Sequence, residues 1–134
     1  MSEADLRALE KAYEALNAGN AQAALDVLDA DAEWHESPYI PDTGVYHGRA
    51  EIGAWLGEFL ESWEEFHQEV EEVVDAGDRV VLFLHLVARG RLSGATVDAR
   101  YAHVWTMRNG KGVRVDGYVD RDEALEAARE RVKP

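Results

Sequence analysis

Cysteine is absent from this chain, which removes every disulfide framework and every thiolate metal site. Only three of the 134 residues are proline, and no apolar run approaches the roughly 20 residues that a membrane-spanning helix needs. The opening MSEADLRALEK carries acids and no apolar stretch, so it does not read as a secretory signal. Basic residues are scarce as well: 14 stand against 27 acidic ones, for a formal charge of −13. That field repels phosphate backbones and anionic lipid, so no nucleic acid and no membrane is expected as a partner. These absences predict one soluble domain over residues 1–134, in a reducing and therefore cytoplasmic setting. Its length is enough to bury a core without covalent staples.

What is present is strong periodicity of two kinds. Leu6, Leu9, Tyr13 and Leu16 recur at helical spacing, with Ser2 and Asp5 at the start and Asn17 and Gly19 at the end. Asn20 can cap a second, short helix through Ala24, Leu25 and Leu28. Glu33-Trp34-His35-Glu36 reads as a short extended piece, ended by Ser37-Pro38, and residues 37–47 as an ordered loop. After Gly48, the stripe Ile52, Trp55, Leu56, Phe59, Leu60 and Trp63 predicts a third amphipathic helix. From Phe66 the period becomes two. Strands are expected over Phe66–Val74, Arg79–Arg91, Val97–Met107 and Val113–Asp120, with Asn109-Gly110 as a hairpin turn. Asp122 can cap a closing helix through Leu125, Ala128 and Val132.

Helices segregated from an antiparallel meander mean an α+β fold. A long amphipathic helix laid across a twisted sheet leaves a cone, which is a natural place for a small-molecule pocket.

The stretches EWHESPYIPDTGVYHGRAEIGAWL, AGDRVVLFLHLVARG and DARYAHVWTMRNGKGVRVDGYVDRDEALEAA, in that order and spacing, resemble the SnoaL-like group of the nuclear transport factor 2-like superfamily. That group includes ketosteroid isomerases and polyketide cyclases, and the resemblance covers nearly the whole chain. It implies a cystatin-like roll: a cone-shaped, strongly curved antiparallel sheet wrapped around a long helix, with three N-terminal helices and a short C-terminal one. It also implies cofactor-independent acid–base chemistry inside the cone, on inward strand positions. Several catalytic relatives place an acid near the position that aligns with Gly117, so a glycine there argues against the same chemistry in this chain.

The residues themselves offer His103 and His85 as candidate acid–base groups. A three-residue Ser93-Gly94-Ala95 loop would set them opposite each other, sharing a face with Phe83, Val87, Tyr101 and Trp105. A two-residue turn would break that pairing. The last strand has two registers. A simple Asn109-Gly110 turn puts Asp116, Tyr118 and Asp120 on the His103 face. A bulge after the turn puts Val113, Val115, Gly117 and Val119 there instead. Trp34 and Tyr39 flank the loop over the cone's mouth and are expected to meet a ligand. Trp55, Phe59 and Trp63 are expected mostly in the core, Trp55 and Phe59 also lining the pocket, and Arg49 on the surface or in a salt bridge. The five histidines show no metal-binding spacing, and no nucleotide or acyl-enzyme motif is present.

Three readings follow. The first is a binder of a compact, apolar, carbonyl-bearing ligand that acts as an isomerase, cyclase or dehydratase, with His103, His85 and Asp116 as acid–base groups. In it Trp34, Tyr39, Trp55, Phe59, Phe83, Tyr101, Trp105 and Tyr118 line the site, and neither metal nor cofactor takes part. The second is a carrier of the same fold without turnover. The third is a module that dimerises through the sheet, across an outward row of Leu82, Leu84 and Leu86.

Overall fold

The computed structural model describes residues 1–37 and 44–130. Helix α1 (Glu3–Asn17) begins where expected, with the Ser2 hydroxyl accepting from the Asp5 N–H, and α2 (Ala21–Leu25) is capped by Asn20. Leu28 does not extend α2; it opens strand β1 (Leu28–His35). Strand β2 (Val45–His47) leads into α3 (Gly48–Glu61), where Gly48 takes a positive φ of 81° that suits glycine. Trp63 lies beyond this helix and starts β3 (Trp63–Asp75). Then come β4 (Arg79–Gly90), β5 (Thr96–Arg108), β6 (Lys111–Tyr118) and α4 (Arg121–Arg129), which Asp120 rather than Asp122 caps.

The strands form one curved, unclosed sheet in the order β2-β1-β6-β5-β4-β3. It is an α+β fold as expected, with one departure from a pure meander: β1 runs parallel to β6. The inner face buries Leu82, Leu84, Leu86, Tyr101, Trp105 and Val115 against α1, α2 and α3. The outer face buries Val81, Phe83, Ala102 and Val104 under α4. β3 is one of the two edge strands, and Glu64, Glu65, Glu69, Glu71 and Glu72 are exposed along it, as an edge in water requires.

Two registers decide what the cone contains. The loop between β4 and β5 is longer than three residues, because Arg89 pairs with Thr96 and the Gly90 N–H donates to the Ala95 carbonyl. His103 therefore faces Leu82, and His85 faces Arg100. An offset of an odd number of residues reverses a strand's faces. His85, Phe83 and Val87 consequently point away from His103, and Leu82, Leu84 and Leu86 lie in the core. That leucine row cannot be a subunit interface.

Between β5 and β6 the two-residue turn forms, with Asn109 and Gly110 both at positive φ, as a primed turn demands. The pairing then shifts between Thr106 and Met107, so that Val113 is the extra residue of a bulge. Val115 and Gly117 face inward opposite Trp105 and His103, while Asp116 and Tyr118 face outward beside Val104 and Ala102. Gly112 makes this possible, since a Cβ there would lie 2.6 Å from the Trp105 ring.

Candidate active site inside the cone

One chain of hydrogen bonds crosses the cone from α1 to the end of β1. The Trp105 indole N–H donates to the Tyr13 hydroxyl at 2.9 Å. The Tyr13 oxygen lies 2.6 Å from His103 Nδ1, and His103 Nε2 lies 2.9 Å from Glu36 Oε1. The Ser37 N–H also reaches Oε1, at 2.9 Å, and the Trp34 indole N–H reaches Oε2, at 2.9 Å. With a neutral ring, Tyr13 donates to Nδ1 and His103 donates from Nε2; with a protonated ring both nitrogens donate. In either state the carboxylate accepts three bonds.

Local sequence explains each position. Tyr13 occupies the buried stripe of α1 with Leu9 and Leu16, so its ring packs while its hydroxyl reaches the sheet. Trp34 and Glu36 are two apart on an extended segment, so the turn of the backbone that buries the indole buries the carboxylate too. His103 lies between Tyr101 and Trp105 on the inward face of β5, with ring centroids 5.3 Å from both Tyr101 and Trp34. Gly117, directly across from His103, leaves the space that the backbone of Ser37 fills.

The side chains of His103 and Glu36 are only 2% and 5% exposed. Burial opposes charge on Glu36, but attraction to the His103 ring and the bonds from His103, Ser37 and Trp34 outweigh it. Its carboxyl is held below the ordinary carboxylate value. Burial pushes the Tyr13 and Tyr101 phenols well above theirs, so both keep their protons at neutral pH. The Gln68 side-chain amide donates to the Tyr101 oxygen. Gln68 is itself fixed by Asn17, whose side chain accepts from the Gln68 N–H at 2.7 Å and donates to its carbonyl at 2.9 Å.

Glu36, His103, Tyr101 and Gln68 line a cavity of about 20 Å³, together with Trp34, Trp55, Leu56, Phe59, Leu60 and Phe66. Of the residues expected at a site, His103, Trp34, Trp55, Phe59 and Tyr101 meet here. Trp105 stands behind them as a donor to Tyr13.

The others do not reach the cavity. His85 pairs with Asp98 at 2.6 Å on the outer face. Asp116 accepts two bonds from Arg114, at 2.9 and 3.0 Å. Phe83 lies under the Arg121 guanidinium, 4.0 Å from its ring centroid, and Tyr118 packs beside α4. Tyr39 falls outside the described residues. Trp55, Phe59 and Trp63, expected mostly in the core, are only half-buried. Arg49 is not a free surface group, because its guanidinium donates to the Leu28 carbonyl. Glu36, Tyr13 and Gln68 escaped the sequence reading. Each had a signal: a polar tip at an inward or core-stripe position among aromatics.

Among the described residues, no three His, Asp or Glu side chains converge on a point that would hold a metal ion. No helix among them is long and apolar enough to cross a membrane.

Residues 9–115 match the family model of the SnoaL-like domain. No curated protein matches the sequence. Several solved structures share the fold. One is an NTF2-like protein of unknown function from Burkholderia pseudomallei, 21% identical, covering 97% of this chain and 100% of that one, with a TM-score of 0.78. Another is a protein of ketosteroid isomerase-like fold from Catenulispora acidiphila, in complex with trimethylamine. It is 15% identical, with both chains fully covered and a TM-score of 0.74. A third, from Mycobacterium tuberculosis, is in complex with estradiol-17beta-hemisuccinate. It is 18% identical, covering 88% of this chain and 95% of that one, with a TM-score of 0.72. With the family model spanning most of its length, the chain belongs to the SnoaL-like domain family of the NTF2-like superfamily.

Proposed function

We propose that this domain binds a compact, largely apolar, carbonyl-bearing molecule inside its cone and transfers a proton on it, as an isomerase, cyclase or dehydratase does. The observation that carries this reading is Glu36, a buried carboxylate that stays charged and faces a cavity of otherwise aromatic and aliphatic walls. In such a setting a carboxylate can take a proton from the carbon next to a carbonyl. The C–H electron pair becomes the C=C bond of an enolate, and the carbonyl π pair moves to oxygen. Tyr101 supplies the donor for that oxygen: its phenol stays protonated, and its own oxygen already accepts from Gln68. His103 and Tyr13 position Glu36. Return of the proton to another carbon completes an isomerisation.

A cavity of about 20 Å³ has room for one water molecule. Ligand entry therefore requires the half-buried Trp55, Phe59 and Leu60 to move outward. Ligands on two proteins of the same fold, estradiol-17beta-hemisuccinate and trimethylamine, support a small-molecule site. The lack of cysteine supports a reducing, cytoplasmic setting. Pairing of two copies across the sheet now rests only on the outer-face Val87 and on Val119 just beyond β6, 45% and 42% exposed. Sedimentation at micromolar concentration giving a 15.0 kDa species alone would remove it.

The test is solvent exchange. In D₂O, the wild type should erase the α-proton NMR signals of cyclohexanone faster than buffer, and Glu36→Gln should lose about a hundredfold of that acceleration. Equal rates in both proteins would reject Glu36 as the base. The second reading, a carrier without turnover, is favoured by one observation: every polar member of the relay is already satisfied within the protein. Saturable ligand binding with no exchange would select it.

A further inference from the structure

A second, larger recess lies against the outside of the cone. It measures about 400 Å³ and is lined by Trp55, Phe59 and Trp63 on one wall and Gly90, Ser93 and Ala95 on the other, with Glu58 at its rim. Three features set it apart from an ordinary surface groove. Its aromatic wall is a continuous ladder, with Trp55–Phe59 centroids 5.6 Å apart and Phe59–Trp63 centroids 5.9 Å apart. Trp55 and Phe59 also wall the inner cavity beside Glu36, so the two spaces are separated by those two side chains. The Trp63 indole N–H is buried without an acceptor among the described residues, whereas the Trp34 and Trp105 indoles each have one. A buried donor with no partner calls for one.

We infer that this recess is the outer half of a two-part ligand site, and the inference rests on the inner half acting as proposed above. A planar apolar body stacks on Trp55, Phe59 and Trp63. The Trp63 N–H is enclosed in this conformation, so its ring turns before an acceptor atom on that body, a carbonyl or ether oxygen, takes the N–H. Outward rotation of Trp55 and Phe59 then admits the reacting end to Glu36. The recess volume suits a body of two to three fused rings, about the lower end of small-molecule sites. Glu58 at the rim and the chain's charge of −13 disfavour anions, against the single Arg91 guanidinium that donates to the Glu61 and Trp63 carbonyls beside the recess.

The probes are 2-acetylnaphthalene, naphthalene and 2-naphthoate, titrated against ¹⁵N-labelled protein while the four indole N–H signals are followed. The Trp63 signal is identified by its loss in Trp63→Phe. It should move downfield with 2-acetylnaphthalene, as a donor gaining an acceptor does, and little with naphthalene. The anion 2-naphthoate should bind about tenfold more weakly or not at all. Trp63→Phe should weaken 2-acetylnaphthalene about fivefold to tenfold and leave it close to naphthalene. Ala95→Trp, on an exposed loop of the facing wall, should block binding without disturbing the core. Wild-type affinity in both variants, or a Trp63 signal that never moves, overturns the inference. Cyclohexanone exchange separates the two halves. Exchange without Trp63-dependent probe binding rejects the outer site alone, and probe binding without exchange rejects the inner chemistry alone.

Discussion

A methyl group on Gly117 would stand 2.3 Å from the backbone nitrogen of Ser37. The two residues approach this closely because Glu36 must lie over His103, and Gly117 is the residue paired with His103 across the sheet. A carboxylate on the strand at 117 and a carboxylate from the end of β1 cannot both occupy that space. This chain takes the second arrangement: glycine at 117 leaves room for the 36–37 backbone, and the buried carboxylate beside His103 is Glu36.

Gly117→Ala should therefore push the 36–37 segment away and detach Glu36 from His103. The obstructing atoms are backbone, so relief is not available from a side-chain rotation. The expected cost is about 1–3 kcal/mol in chemical denaturation, with a changed His103 Nε2 signal in ¹⁵N NMR. A variant as stable as wild type with an unchanged imidazole spectrum would contradict the packing described.

Glu36→Gln should cost about 1–3 kcal/mol at neutral pH, because an amide NH₂ must face either the Trp34 or the Ser37 N–H. The folded-state value of Glu36 lies below its unfolded one. Its contribution is thus fully present above the ordinary carboxylate range, and is lost as pH falls through the lowered folded value. The stability difference between wild type and variant should narrow in that acidic window. Denaturation midpoints of both proteins, taken from pH 7 down to pH 3, check this.

At the alkaline end the sign reverses. Tyr13 and Tyr101 hold their protons more tightly folded than unfolded, so they favour the native state below about pH 10 and weaken it above. In a spectrophotometric titration these two should ionise only as the protein unfolds. Smooth ionisation of all five tyrosines with the fold intact would show that the two are not buried as described.

His85→Ala and Asp116→Ala should leave the His103 signals and the stability nearly unchanged, within about 1 kcal/mol. Both side chains lie on the outer face, in pairs with Asp98 and Arg114 that water can reach. A large shift at His103 in either variant would mean that the register of β4 or β6 is wrong.

Much of the architecture was legible because it follows from local rules. Helical stripes, the Ser2 and Asn20 caps and the Asn109-Gly110 turn each act within a few residues. The faces of β4 and β6 were not, because each depends on one loop or bulge. A pairing that runs from Arg89–Thr96 and an extra Val113 are both set by tertiary packing. That is why His103 faces the cone while His85 and Asp116, expected beside it, face the other side. Glu36 was hidden for a different reason. Its polar tip near Trp34 was a local signal, but its position over His103 depends on Gly117 and Ser37 meeting, a contact between residues far apart in the chain.

The most direct test of the central claim is a ¹³C NMR titration of the Glu36 carboxyl, identified by its absence in Glu36→Gln. The account predicts a midpoint below the ordinary glutamate value, with the His103 ring signals moving in the same step. A midpoint at or above that value, or one to which His103 does not respond, would contradict a buried, charged carboxylate as the working group of this cone.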